Sequence, residues 1–219
     1  MVAPLPPRRP ADLAPPAAPE PQKPAENGAD KPAAGSACIA RFEERGGVSL
    51  PIAAENTSGE CGIEDPVSFR TVTMPDGSKV EFDSAITVRC AFALDIVDWV
   101  RDDLSPAAAA ANSKLSRLVG VGGHACRPRN GAAGAPISEH ASGNAMDLSG
   151  LVLQDNRSVM FNNNRDDGTS ALREHVQKSA CARFTTVLGP GSDSSHKDHL
   201  HLDMRRRKGN FKICQWATE

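Results

Sequence analysis

The sequence predicts an α+β fold, in which a small antiparallel sheet packs with about three helices and disulfides cross-link the chain. Helical patterns come first along the 219 residues and short strand patterns come later, without the regular alternation that a parallel sheet requires. Six cysteines are spread over the sequence that follows a proline-rich start. A chain of this length suits one domain of moderate size with some residues to spare.

The spare residues lie at the N-terminus. Residues 1–36 are dominated by proline and alanine with interspersed charges, so they have little to bury and are predicted to stay extended and disordered. They are either a spacer that holds the domain away from a membrane or wall, or an inert leader. The folded domain is predicted to span residues 37–219.

The first part of the domain carries few regular patterns. Residues 38–83 are predicted to be loop-rich, with one strand-like piece at 67–72. Residues 75–78, Pro-Asp-Gly-Ser, predict a turn after that piece.

The later elements follow from periodicity and capping residues. Apolar residues at helical spacing predict a helix over residues 86–104. Ser105 and Pro106 suit the N-cap and first position of a second helix, which is predicted to run to about Val119. A third helix is predicted over residues 170–182. Three short strands are predicted over residues 144–149, 184–188 and 199–204.

The cysteines indicate an oxidising compartment. None of the six belongs to a C-x-x-C pair, which disfavours a cysteine-bound zinc or a thioredoxin-type redox motif. An even number at wide spacing predicts three disulfides, although the sequence does not choose among the pairings. The alternative is six buried free thiols in a cytosolic protein.

Export needs a signal, and residues 1–20 contain no basic segment followed by an apolar core. The prediction is therefore that a signal peptide was removed, that Met1 was added for expression, and that the protein acts in the periplasm or cell envelope. The formal net charge of −2 gives no electrostatic case for a nucleic-acid partner. No apolar stretch approaches the roughly 20 residues needed to cross a bilayer, so no transmembrane segment is predicted.

A histidine and an aspartate flank a turn in the second half of the chain. His140 and Asp147 are separated by Gly143 and Asn144, which are typical turn residues. The turn lets His140 meet Asp147 at the edge of a strand, while the apolar neighbours of Asp147 face the core.

A second segment, residues 195–203, alternates polar and apolar side chains. With a period of two, His199, His201 and Asp203 share one strand face and the leucines between them share the other. Adjacent imidazoles on one face suit a metal because each offers a neutral nitrogen. Asp203 either orients an imidazole or is a surface residue at the strand end.

The chemistry of these residue types points to catalysis. Two imidazoles and one carboxylate would leave a zinc ion with one position open for water, as in catalytic rather than structural sites. Such an ion lowers the pKa of bound water toward about 7 and polarises a carbonyl. The other histidines are then available as general base or acid, or to stabilise an oxyanion.

Six motifs carry a family resemblance. They are Cys61-Gly62-Ile63, Ala125-Cys126-Arg127, Ile137-Ser138-Glu139-His140, Gly143-Asn144-Ala145-Met146-Asp147, Val187-Leu188-Gly189-Pro190-Gly191 and His196-Lys197-Asp198-His199-Leu200-His201-Leu202-Asp203. Together they resemble the bacterial extensin-like C-terminal domain family over roughly residues 38–219. Beyond it, the His and Asp motifs resemble the zinc peptidases that cut peptidoglycan, namely D-Ala-D-Ala carboxypeptidases, the penicillin-insensitive murein endopeptidase and lysostaphin-like enzymes.

The resemblance assigns roles to individual residues. It implies that His140, Asp147 and His201 bind one zinc ion. His199, two positions before the last ligand, matches a catalytic histidine of the relatives, and His196 matches a further active-site histidine.

Three more residues enter the predicted site. Asp198 stands where some relatives carry a glutamate base; its shorter side chain and its place in the strand alternation favour His199 as the base, with Asp198 second. Arg127 resembles an arginine that contacts substrate, with a surface arginine beside a disulfide as the alternative. Ser138, in the motif of the first ligand, is assigned to substrate binding.

The predicted function is that of a monomeric zinc metallopeptidase. It would cleave peptide bonds in peptidoglycan stem peptides or cross-links, as a D,D-endopeptidase or a carboxypeptidase. One alternative is a non-catalytic cell-wall binding module that keeps the zinc-peptidase fold. Another is a zinc hydrolase that acts on a different substrate.

Overall fold

The computed structural model describes residues 34–52, 59–162 and 168–217. Within these ranges the predicted α+β fold is confirmed, since three helical segments pack with two sheets and three disulfides. Residues 1–33 of the predicted leader lie outside the described part of the chain. No helix of the described ranges has both the length and the apolar character that a membrane span requires.

Three helical segments follow one another along the chain. The first is α1 (Ala34–Glu44). The second consists of α2 (Cys90–Trp99), a π turn (Val100–Leu104) and α3 (Ser105–Ala110), which continue without leaving helical backbone angles. The third is α4 (Ser170–Arg183), which confirms the helix predicted over residues 170–182.

α3 begins at Ser105, as predicted, but Ser105 does not act as an N-cap, because helical backbone angles continue into it from the π turn. The π turn directly before Ser105 widens the helix, and proline, which has no N–H to donate, is tolerated in the turn that follows. The helix ends at Ala110 rather than near Val119, because Asn112 takes a left-handed φ of 56° and the chain then enters a strand. Residues 86–89, predicted as helix, are also strand.

The larger sheet has six strands. They are β1 (Gly47–Leu50), β2 (Pro66–Thr73), β3 (Lys79–Arg89), β4 (Leu115–Val119), β6 (Gly150–Leu153) and β7 (Ser158–Met160). Their order is β1-β2-β3-β4-β6-β7, and only β3 and β4 run parallel to each other.

This sheet corrects the loop-rich prediction for residues 38–83. The strand at 67–72 and the turn at 75–78 are confirmed, but α1 and β1 were absent from the prediction. Both owe their stability to contacts that are distant in sequence: Phe42 of α1 is fully buried, with its ring 5.0 Å from that of Phe69 on β2.

The smaller sheet contains the three short strands that the sequence predicts. It comprises β5 (Ala145–Leu148), β8 (Thr186–Leu188), β9 (Leu200–Asp203) and β10 (Ile213–Gln215), in the order β10-β8-β9-β5. The pairs β8–β9 and β9–β5 are antiparallel, while β10 joins β8 in parallel.

Strand alternation separates a core face from a polar face in this sheet. Met146 and Leu148 on β5, and Leu200 and Leu202 on β9, have no solvent-exposed surface. They join one hydrophobic core with residues of the larger sheet and the helices. Full burial of such side chains contributes about 1.5–3 kcal/mol each, so it fixes the register that turns the intervening polar residues outward.

Three disulfides cross-link the described residues. Cys38–Cys90 joins α1 to the start of α2, and Cys181–Cys214 joins α4 to β10. Cys61–Cys126 ties together two loop segments separated by 65 residues. The prediction of three disulfides and an oxidising compartment is supported by these pairs.

Candidate metal centre

The three predicted ligands come from two strands and a short turn. Asp147 on β5 and His201 on β9 are directly opposite each other in the antiparallel register. His140 lies in a 3-10 turn (Glu139–Ser142) that precedes β5. The fold therefore gathers on one polar face residues that are distant in sequence.

The turn that carries His140 is closed at both ends. At its start the hydroxyl of Ser138 accepts a hydrogen bond from the backbone N–H of His140. At its end Gly143 has a φ of 64°, and a Cβ there would lie 2.8 Å from a backbone nitrogen of β3, which excludes other residues. Asn144 then donates its side-chain N–H to Glu139 at 2.6 Å. The predicted turn between His140 and β5 is confirmed.

The ligand atoms of the three residues converge. His140 Nε2 lies 3.1 Å from Asp147 Oδ1 and 3.1 Å from His201 Nδ1, and His201 Nδ1 lies 3.3 Å from Asp147 Oδ1. His140 is 1 % exposed. One ligand atom from each residue thus surrounds a single point, as around one metal ion.

Hydrogen bonds on the far side of each ring fix which nitrogen faces that point. His140 donates Nδ1–H to the carbonyl of Gly123 at 2.7 Å, and His201 donates Nε2–H to Asp203 at 3.1 Å. When both rings are neutral, His140 Nε2 and His201 Nδ1 therefore each carry a lone pair, and these two nitrogens face each other and a carboxylate oxygen of Asp147. Three acceptors at this separation need a proton or a metal cation between them, and two imidazole nitrogens with one carboxylate oxygen are a donor set that fits a divalent metal such as zinc.

Asp203 is itself held from several directions. Its side chain is buried and accepts hydrogen bonds from the hydroxyl of Thr186 at 2.5 Å and from the backbone N–H of Arg205 at 2.9 Å. Arg207 donates to the same Thr186 hydroxyl at 2.7 Å. Asp203 therefore orients His201, rather than being a surface residue at a strand end.

The protonation of the cluster follows from these contacts. Burial acts against the charge of Asp147, but hydrogen bonds from His140 and His201 hold its pKa well below the usual range. Burial likewise lowers the pKa of His201, but the hydrogen bonds to Asp147 and Asp203 outweigh it and raise that pKa to about 9. The two carboxylates thus favour a positive charge at the point where the ligand atoms meet.

Metal binding is expected to depend on pH through His201. A proton on this ring competes with the metal for the same lone pair, so zinc binding should release about one proton near neutral pH. Because the pKa is raised to about 9, apparent affinity should rise about tenfold per pH unit up to that pH and level off above it. Calorimetry in buffers of different ionisation enthalpy measures the released proton. Asp203→Asn should move the plateau to lower pH; an affinity independent of pH between about 6 and 8 would contradict the assignment.

His199 lies beside the cluster at the entrance to β9. Its Nε2 is 3.7 Å from Asp147 Oδ1, and its Nδ1–H is donated to Asp198 at 2.9 Å. The carboxylate of Asp198 is largely exposed and occupied by this bond. Asp198 is therefore in position to orient His199.

His196 forms a further histidine–carboxylate pair, with Asp193, that the sequence reasoning missed. Its Nδ1–H points at both oxygens of Asp193, at 2.8 and 2.9 Å. Its ring centroid is 5.4 Å from that of His199 and 5.6 Å from that of His201. Burial lowers the pKa of His196, although Asp193 acts in the opposite direction. The i, i+3 spacing of Asp193 and His196 in a turn was the available signal, but strand periodicity does not reveal it.

Comparison with known proteins identifies the family. The model of the extensin-like protein C-terminus matches residues 36–215. The chain belongs to this family. No curated protein and no solved structure matches the chain. The extensin-like part of the resemblance is confirmed, and the relation to zinc peptidases stays a prediction.

The ligand cluster of the extensin-like domain opens into a cavity of about 750 Å³. Ser138, His196 and His199 line this cavity together with the three candidate ligands, and so does the exposed Arg127. Arg127 is thus a cavity residue as well as a neighbour of the Cys61–Cys126 disulfide, and both readings of it are compatible with this position.

The two remaining histidines of the extensin-like domain lie outside the cluster. His124 Nε2 lies 3.0 Å from the carbonyl oxygen of Cys61 and 3.2 Å from that of Ala141, so it links the disulfide loop to the turn of His140. His175 is exposed on α4. Neither lines the cavity.

Proposed function

We propose that this extensin-like domain is a zinc-dependent hydrolase that cleaves peptide bonds in peptidoglycan stem peptides or cross-links. The observation that carries the proposal is the convergence of two imidazole lone pairs and one carboxylate oxygen, fixed by outer hydrogen bonds and facing a cavity. Three protein ligands with access to a cavity are typical of catalytic rather than structural zinc. The substrate class rests on the resemblance of the His and Asp motifs to zinc peptidases of the cell wall.

A zinc ion held by His140, Asp147 and His201 would supply a Lewis acid that activates water and polarises the scissile carbonyl. His199 is our choice for the general base. Its Nε2 lies beside Asp147, and its other nitrogen donates to Asp198, so the cavity-side nitrogen is free to accept a proton. The same ring would return the proton to the leaving amine. This makes Asp198 a positioning residue.

In the proposed reaction, Arg127 is better suited than His196 to stabilise the oxyanion that develops at the scissile carbonyl. Since burial lowers the pKa of His196 and its N–H is committed to Asp193, its free nitrogen accepts rather than donates near neutral pH. A guanidinium, in contrast, carries its charge and donors at every relevant pH. Arg127 therefore stabilises the developing negative charge in our proposal, and His196 acts as a second proton acceptor beside His199.

The decisive test combines metal content with digestion of purified cross-linked muropeptides. The wild-type protein should bind one zinc ion and release cleaved stem peptides, and chelation should abolish the cleavage until zinc is restored. His201→Ala should remove both the metal and the activity, while His175→Ala, a histidine outside the cavity, should keep both. Stoichiometric zinc without cleavage of any stem peptide would support a wall-binding module instead. Cleavage of other peptides alone would indicate a different substrate.

A further inference from the structure

Four arginines line the cavity of the candidate metal centre. Arg127 and Arg129 belong to the loop after Cys126, and Arg205 and Arg207 follow β9. The chain as a whole has a net charge of −2, so this is a local accumulation of positive charge. Arg127 already has a place in the proposed reaction, which leaves three arginines without one.

In the described part of the chain, the carboxylates that line the cavity form no ion pair with Arg127, Arg129 or Arg207, and only a long one with Arg205. Asp147 belongs to the ligand cluster, and Asp203 is bonded to His201 and Thr186. Glu139 accepts from Asn144 and lies 3.9 Å from Arg205, which is thereby partly paired. These acids are therefore engaged with other groups.

Arg129 and Arg207 keep unneutralised guanidinium groups in the described part of the chain. Arg207 donates to the carbonyl of Thr185 and the hydroxyl of Thr186, both uncharged. Among the residues that the structure describes, no carboxylate lies within ion-pair distance of Arg129 or Arg207. Two guanidiniums in a cavity without a carboxylate partner raise the local affinity for anions.

The backbone that carries Arg129 is well anchored. Its N–H donates to the carbonyl of Pro136 at 3.0 Å, and the N–H of Ser138 donates to the carbonyl of Arg127 at 3.1 Å. This hairpin leads directly into the turn of His140, and the adjacent Cys61–Cys126 disulfide holds its start. Arg129 therefore has a defined position relative to the ligand cluster.

We propose that Arg129 and Arg207 form an anion-binding subsite, through which the cavity selects acidic peptides with free carboxylates near the scissile bond. The inference rests on the proposed peptidase function and specifies its substrate class. A guanidinium and a carboxylate form paired, charge-assisted hydrogen bonds, which an uncharged amide cannot replace. The carboxylate is either the C-terminal group of the peptide or one carried by an acidic residue within it.

The test uses synthetic stem-type peptides with both carboxylates free, with only the C-terminal group amidated, and with only the internal group amidated. Binding is measured by fluorescence anisotropy on protein from which a chelator has removed the metal, so that the peptides are not cleaved. The kcat/KM is measured on zinc-loaded protein. The free peptide should bind the wild type about tenfold more tightly than the amidated form that lacks the recognised carboxylate. The amidated position that weakens binding identifies the source of the carboxylate.

The matching variants are Arg129→Gln and Arg207→Gln, with Arg206→Gln as control, because Arg206 is exposed and does not line the cavity. Each of the first two should weaken binding of the free peptide several-fold. Arg129→Gln should also leave binding of the amidated peptide unaffected, whereas Arg207→Gln in addition removes a donor to the Thr186 hydroxyl that holds Asp203. Equal binding of all peptides by the wild type would overturn the subsite. If the wild-type protein cleaved the amidated peptides as fast as the free peptide, the subsite would be overturned too, and the peptidase proposal would remain intact. Arginine-dependent binding without cleavage would support the subsite and count against the peptidase.

Discussion

Zinc affinity is expected to fall roughly a thousandfold in Asp147→Asn. The substitution keeps the shape of the side chain but replaces an anionic ligand by a neutral amide, which zinc binds poorly. Loss of one of three ligands from a site worth about 10 kcal/mol or more corresponds to about 4 kcal/mol, hence the thousandfold effect. Competition with a chromophoric chelator measures the affinity directly.

The amide also changes the metal-free protein. Without the carboxylate of Asp147, His201 loses one of the two groups that raise its pKa to about 9, so this pKa should fall toward the usual range. Asp155→Asn, at an exposed carboxylate outside the site, is the matched control and should leave zinc affinity unchanged. If Asp147→Asn bound zinc as tightly as the wild type, the ligand assignment would be wrong.

Activity is expected to fall about 100-fold or more in Asp193→Asn, with little change in KM. Asp193 accepts the Nδ1–H of His196 and so leaves the other ring nitrogen free to accept a proton. An asparagine amide can donate to Nδ1 instead, which moves the ring proton to the cavity side and blocks proton acceptance there. In the proposed reaction His196 is the second proton acceptor beside His199, so blocking it should cost a factor at the lower end of the range of about 10² to 10⁴ that general acid–base catalysis contributes. Steady-state kinetics on a stem peptide, with kcat and KM measured separately over pH, provides the test.

Asp198→Asn is the natural comparison, because Asp198 bears the same relation to His199. If His199 alone handles the proton, Asp198→Asn should cause the larger loss of kcat and Asp193→Asn should be nearly silent. If both rings take part, both variants should lose kcat while zinc content stays at one ion per chain. A loss of zinc in Asp193→Asn would instead indicate a purely structural effect on the site.

The predictable part of the site depended on strand alternation. The period of two in residues 199–203 separates His201 from Leu200 and Leu202, and the full burial of both leucines confirms the assigned faces. The pairing of His201 with Asp147 needed in addition the register of two strands that are 54 residues apart in sequence. The family pattern supplied that association where periodicity could not.

The parts that sequence reasoning missed depend on contacts between distant segments. The brace of Asp203 by Thr186 and Arg207 joins β8, β9 and the loop beyond β9. Likewise, β4 contains too few residues to show a period of its own, and its place between β3 and β6 is a property of the whole sheet. Sequence separation does not reveal the disulfide pairing either, because the entropic cost of closing a loop changes only slowly with the number of residues in it.

The Cys61–Cys126 bond has a consequence for where the protein can work. It closes a loop of 65 residues and restrains the unfolded chain by about 4 kcal/mol, and the arginine-bearing wall of the cavity begins one residue after it. The candidate ligands His140, Asp147 and His201 are held by their own turn and strands, so they do not depend directly on that bond. Covalent anchoring of this side of the cavity therefore requires oxidation, which cytoplasmic thiols oppose. In the proposed hydrolase, a chain still inside the cell would lack the disulfide that anchors the arginine-bearing wall of the cavity. It would gain this disulfide on reaching the compartment where its substrate lies.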